Sequence, residues 1–306
     1  MEPSFSLQFT EEELKFAGLM DLQRAAQDLD SIAGGGITDE LAQSLLPNLL
    51  QALQKSPDPD RSLQNFARWL NAVSNKFTYF QFLLTHLTAL DLFISVCGVS
   101  QYFAEIMIRN PEYFEIIANP AIRETSKSGA DFFRELQTYL AHIKRPELKL
   151  EALRRFRQRE MLRIGARDIL GLANMPDTAR EFSLLADTCV QICIQLAVHK
   201  LADQYSDHIP LESQNIPQVP FIVVAMGKHG GMELNYSSDI DLMFVCGDYP
   251  LPGYSLPITP LEYAHKVAEN VTKMLSDKMQ NGHLFRVDMR LRPEGRFGPL
   301  VRTLGS

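Results

Sequence analysis

Three aspartates carry the first chemical signal. In LNYSSDIDLMF (234–244), Asp239 and Asp241 lie one residue apart and are followed by Leu242, Met243 and Phe244. On a strand, alternation turns both carboxylates to one face. Like charges so placed repel and need compensation. A third acid, Asp288, stands in HLFRVDMRL (283–291). The alternation there predicts a strand with Leu284, Arg286 and Asp288 on one face and Phe285, Val287 and Met289 on the other. If that strand lies beside the one bearing Asp239, three carboxylates converge. Such a cluster suits Mg²⁺, a hard cation that takes oxygen ligands. Two such ions would neutralise the acids and clamp an in-line phosphoryl displacement. Singly, these signals are weak. A DxD on a strand is mostly a surface feature, and Asp288 between Arg286 and Arg290 is most often one end of a local ion pair.

A glycine-rich turn supplies the second half of the pattern. FIVVAM (221–226), a continuous apolar and β-branched run, predicts a buried strand, and GKHGG (227–231) follows it. Gly227, Gly230 and Gly231 permit positive φ and close backbone approach. Successive amides in such a turn form an anion-binding concavity. Lys228 adds a point charge, and Ser237 and Ser238 add hydroxyl donors just before Asp239. The spacing is not GxxxxGK[ST], so this is no Walker loop. Three acids and a glycine turn, in this order on these elements, point to metal-dependent chemistry on phosphate.

The elements that must position these residues fall in two blocks. Residues 10 to 205 show apolar spacing of three and four almost throughout, as in DELAQSLLPNLLQALQKS (39–56) and DRSLQNFARWLNAVSNKF (60–77). Breaks at GGG (34–36), Pro57, Pro59, Asn110-Pro111, Asn119-Pro120, Pro146 and Pro176 divide them into about eight or nine helices. The composition changes at IPLESQNIPQVP (209–220), which reads as a linker. Beyond it come the strand 221–226, the turn, the strand 239–246, the loop 247–257, an amphipathic helix over 258–279 and the strand 283–291. Thr259 can cap that helix and Pro260 fits its first turn. The expected architecture is α+β: an all-α bundle over 1–208, then an α/β catalytic domain with a small mixed sheet over 209–306.

Bulk properties exclude several classes. The chain has 306 residues, 45% hydrophobic and 22% charged, with a net charge of -7. No global basic field recruits nucleic acid or anionic membrane, and no stacking platform with basic flanks is evident. The N-terminus is acidic and lacks the pattern of a signal peptide. FLLTHLTALDLFISVCGV (82–99) is interrupted by His86 and Asp91 and reads as a core helix rather than a membrane span. Cys97, Cys189, Cys193 and Cys246 lie in apolar contexts without a CxxC pair, which suits buried thiols in a reducing compartment. A cytoplasmic location is expected.

One helical stretch, LEALRRFRQREMLRIGARDIL (150–170), holds Arg154, Arg155, Arg157, Arg159, Arg163 and Arg167. They form a solvated basic face balanced by Glu151, Glu160 and Asp168, or some of them face an anion such as a nucleotide phosphate or an acidic partner surface. Both readings stay open at this level.

The order of glycine turn, DxD strand, helix and third acid resembles the polymerase-β-type nucleotidyltransferase superfamily. AMGKHGGMELNYSSDIDLMF (225–244) and FRVDMRLRPEGRFGPLV (285–301) closely resemble two signature blocks of the bacterial glutamine synthetase adenylyltransferase/adenylyl-removing enzymes. RRFRQREMLRIGARDILGLANMPDTAREFSLLAD (154–187) is similar to that family's helical block, and RNPEYFEIIANP (109–120) to another segment. His229 stands where the family usually has leucine, and Met232 where a basic residue is common.

The resemblance implies a polymerase-β-type domain and a wider arrangement of two such domains in tandem, one removing AMP from a glutamine synthetase tyrosine and one adding it. The long helical lead-in and the variants ELNYSSDIDL and FRVDMRLRPEGRFGPL resemble the N-terminal, removing half. It also implies a catalytic domain truncated soon after the third acid. The implied partners are glutamine synthetase, a PII-type signal protein, phosphate and ADP or ATP. The implied roles are Asp239, Asp241 and Asp288 as catalytic residues and ligands of two Mg²⁺ ions, with Gly230, Gly231, Ser238, Arg290 and Arg292 contacting phosphate.

Overall fold

The computed structural model describes residues 9–34, 37–206, 221–247, 257–278 and 282–305. The expected linker (209–220) and most of the loop 247–257 lie outside the described residues. Two compact units emerge, one formed by 1–125 with 162–174, the other by 126–161 with 175–306. This division runs differently from the composition change near 209.

The first unit is helical. It contains α1 (Glu11–Phe16), α2 (Leu22–Ala33), α3 (Asp39–Gln54), α4 (Pro59–Ala72), α5 (Lys76–Thr85), α6 (Leu87–Val99), α7 (Gln101–Arg109), α8 (Phe114–Ala118) and α9 (Pro120–Arg123). Local signals set most starts: Thr10, Asp21, Thr38, Asp58, Asn75, Ser100 and Asn119 each accept a first-turn amide. The apolar run 82–99 is not one helix. It breaks at His86, where α5 and α6 meet at 109°. The core gathers around Trp69, which is fully buried against Phe66, Phe93 and Phe114.

The second unit holds α10 (Gly129–Ala141), the part of α11 (Pro146–Ile169) through Met161, α12 (Met175–Gln204) and the sheet. The strands are β1 (Phe221–Met226), β2 (Ile240–Cys246), β3 (Val287–Asp288) and β4 (Val301–Thr303). The one-turn helix α13 (Gly227–Gly230) follows β1, and α14 (Pro260–Ser276) follows β2. The α+β expectation holds, with helices preceding a small mixed sheet. β2 is central, antiparallel to β1 and parallel to both β3 and β4. Along β2, Ile240, Leu242, Phe244 and Cys246 are buried while Asp241, Met243 and Val245 are half-buried. Helix α14 packs against α12 and begins with the expected Thr259–Glu262 capping box and Pro260.

Several expectations change. β1 is an edge strand with Ile222 exposed, not a buried one. The third strand shrinks to two residues because the amides of Leu284 and Phe285 both donate to the Leu275 carbonyl, so both side chains are buried rather than alternating. Helix α12 is long and apolar enough to cross a membrane, but 61% of its most apolar window is buried inside the protein. All four cysteines are free and buried. Burial pushes the Cys189 thiol up to about 12, which makes it a packing group rather than a nucleophile.

The six arginines of α11 do not form a solvated face. Arg154, Arg163 and Arg167 are buried, and only Arg155 is fully exposed. In the second unit, Arg159 pairs with Glu135 and Glu160, and Lys127 bridges the same two acids at 2.5 and 2.9 Å. Arg154 donates to the Asp277 carbonyl and pairs with Glu151.

Candidate active site

The pairing of β2 with β3 decides the site. Its parallel register sets Asp241 directly beside Asp288, with Ile240 beside Val287. On the other side, Met226 at the end of β1 faces Asp241, so α13 begins against this acid. Asp239 lies two residues before Asp241, just outside the strand. The expected neighbourhood of three acids and a glycine turn is therefore present.

The acids are compensated by arginines. Arg286 donates to Asp239 Oδ1 and to the Ser237 carbonyl, both at 2.5 Å. Arg290 grips Asp288 through its backbone amide at 2.8 Å and through its guanidinium. Both arginines are well exposed, so these pairs stabilise the fold little. Among the described residues, no group of three or more acids, cysteines or histidines is arranged to hold a metal ion. Backbone placement brings the three aspartates together, while Asp239 and Asp288 turn their carboxylates to the arginines.

Asp241 differs from its neighbours. Burial pushes its carboxyl above the ordinary range, Asp288 and Asp239 push it further, and Arg290 and His229 pull it down. The native state thus holds this proton more tightly than the unfolded chain does. The resulting stability is present below the unfolded pKa and lost as pH rises through the native one. Asp241→Asn should therefore raise the urea midpoint at pH 7, with the gain shrinking as pH falls into the carboxylate range. A lower midpoint at pH 7 would contradict this electrostatic picture.

Two glycines of the turn are needed for space. Gly227 has φ +55, and a Cβ there would lie 2.5 Å from Asp241 Oδ2. A Cβ on Gly230 would lie 2.5 Å from the Ala225 carbonyl oxygen. Gly230 and Gly231 are not in the left-handed region; Met232 is, at φ 59. The Gly231 amide already donates to the Gly227 carbonyl. Ser238 exchanges hydrogen bonds with Asn235. Arg292 donates to the carbonyls of Met289 and Gly298 and so braces the loop after β3. Of the proposed phosphate contacts, Gly231, Ser238, Arg290 and Arg292 thus have partners within the chain.

One pair escaped the sequence reading. His229 is buried, and its Nε2 lies 2.8 Å from Asp187 Oδ1 on α12, while Nδ1 has no partner among the described residues. This pair ties the turn to the helix, as does the Leu234 amide donating to Ser183. A separation of forty-two residues leaves no local signal for it.

Carboxylate oxygens are the donor type that Mg²⁺ takes, although two of the three aspartates are turned to arginines. Asp241 accepts no hydrogen bond among the described residues and feels two like charges, a situation that a hard dication relieves.

Comparison with known proteins places this geometry in context. The profile of the family described as glutamate-ammonia ligase adenylyltransferase matches residues 90–306. A bifunctional glutamine synthetase adenylyltransferase/adenylyl-removing enzyme from Shewanella frigidimarina is 28% identical over 270 residues, covering 87% of this chain and 28% of the relative. The protein of the same description from Shewanella loihica is 27% identical over 274 residues, with the same coverage. The chain spans just over a quarter of the length of these curated relatives.

Proposed function

We propose that this chain, which belongs to the glutamate-ammonia ligase adenylyltransferase family, catalyses nucleotidyl transfer at a tyrosine of glutamine synthetase, in the direction of phosphorolytic AMP removal. The observation that carries the reading is the β2–β3 register, which puts Asp241 beside Asp288 at the foot of the glycine turn. Direction rests on the resemblance of the flanking segments to the removing half. A PII-type protein is the proposed regulator on the same basis.

Asp239, Asp241 and Asp288 would hold Mg²⁺, which supplies charge neutralisation and electrophilic activation when bound. The chain's own residues do the rest. Arg286 and Arg290, now on Asp239 and Asp288, are placed to move onto phosphate oxygens. In the reaction, a phosphate oxygen forms a bond to the AMP phosphorus as the bond to the tyrosine oxygen breaks. The tyrosine oxygen gains a proton, and the products are ADP and unmodified tyrosine.

The test supplies adenylylated glutamine synthetase, Mg²⁺ and phosphate, and follows ADP release. ADP formation supports removal. No ADP, but AMP incorporation from ATP into unmodified glutamine synthetase, would reverse the direction. Neither reaction would sink the catalytic reading for this chain.

A further inference from the structure

Arg157 is the unexplained member of the α11 arginines. Arg154 and Arg159 have carbonyl or carboxylate partners within the second unit. Arg157 has no hydrogen bond or ion pair among the described residues, and its Nε is buried without a partner. Its guanidinium carbon lies over the Phe285 ring instead, 4.6 Å from the ring centre. Stacking holds such a group in place and leaves its in-plane N–H donors free.

The neighbourhood is strongly cationic. His283 is pushed below its ordinary pKa by burial first, then by Arg157, Arg286 and Lys278; Asp239 alone pulls it upward. Phe285 and Arg286 continue directly from His283 into β3, beside the acids. Arg157, Arg286 and Lys278 thus lie around the His283 imidazole beside the three aspartates, and Arg157 has no carboxylate partner among the described residues.

We propose that Arg157, Lys278, His283 and Arg286 form a subsite for a phosphate oxyanion beside the acid cluster. The guanidinium of Arg157, held over Phe285, offers two parallel donors, a fit for tetrahedral oxyanions. Arg286 is the shared element. It donates now to Asp239, and an oxyanion held by Arg157 would draw it away and free that carboxylate. As the phosphate subsite of the reaction this rests on the function proposed above; as an anion site it stands independently.

The test titrates inorganic phosphate, and separately ADP, into the 306-residue chain by calorimetry without divalent metal. Phosphate should bind the wild type, and Arg157→Met should weaken it by about tenfold or more, the scale of a charge-assisted pair. Lys278→Ala, on an exposed residue that cannot endanger the fold, should weaken it by roughly two- to threefold through loss of one nearby charge. Asp239→Asn should tighten it, because Arg286 is released. If ADP weakens in parallel, the subsite takes a nucleotide phosphate; if only inorganic phosphate weakens, it takes the free ion. No phosphate binding by the wild type, or equal binding by both cation variants, overturns the proposal. Intact phosphate binding with no nucleotidyl transfer would sink the proposed function alone.

Discussion

Asp239→Asn is expected to abolish Mg²⁺-dependent AMP removal while leaving the fold in place. The substitution removes one negative charge from the proposed metal-binding set and keeps its shape. The loss should be roughly 10³-fold or more, about 4 kcal/mol of transition-state stabilisation, the scale of metal charge stabilisation. Stability should barely change, since Asp239 is half-exposed and its one strong partner, Arg286, is more exposed still. Activity and urea midpoint measured on the same preparation separate the two. An active, folded Asp239→Asn protein would refute the site.

The second large effect is expected at Gly230. An alanine there would put Cβ 2.5 Å from the Ala225 carbonyl oxygen and 3.1 Å from its carbon. Backbone in a paired strand cannot yield cheaply, because Ala225 is in register with Leu242, next to Asp241. Gly230→Ala should cost about 1–3 kcal/mol of stability, as overpacking does. It should also lower activity about 10²-fold by displacing the turn from the acids. Gly231→Ala is the control. Its nearest atoms would be at 3.5 Å, and its φ is ordinary, so it should be tolerated. Equal losses in both variants would mean that the turn acts through its amides rather than through packing space.

The family profile and the relatives agree with the resemblance carried by residues 225–244 and 285–301. Those blocks were legible because they combine residue types with a fixed order of elements. The glycine turn was legible only in outline. Its left-handed positions fall on Gly227 and Met232 rather than on Gly230 or Gly231, and its closing hydrogen bonds consume amides that composition alone leaves open.

Local chemistry explains what the sequence by itself determined. Thr259, Pro260 and Glu262 act within one helical turn, so the start of α14 could be read directly. Alternation over 240–246 is a property of one strand, so β2 and its buried face could be read as well. Cysteines in apolar runs became buried thiols for the same reason. Contacts across long separations were decided only by tertiary structure. The third strand ended at two residues because the Leu275 carbonyl, on α14, captured the amides of Leu284 and Phe285. Arg286 turned to Asp239, far away in sequence, once β3 lay parallel to β2, whereas the pair of Arg290 with Asp288 is local. Among the arginines of α11, the buried Arg154 meets the Asp277 carbonyl after α14 and the half-buried Arg159 meets Glu135 from α10. A charge on a helix is solvated or buried according to what the rest of the chain brings beside it, and helical spacing carries no record of that partner.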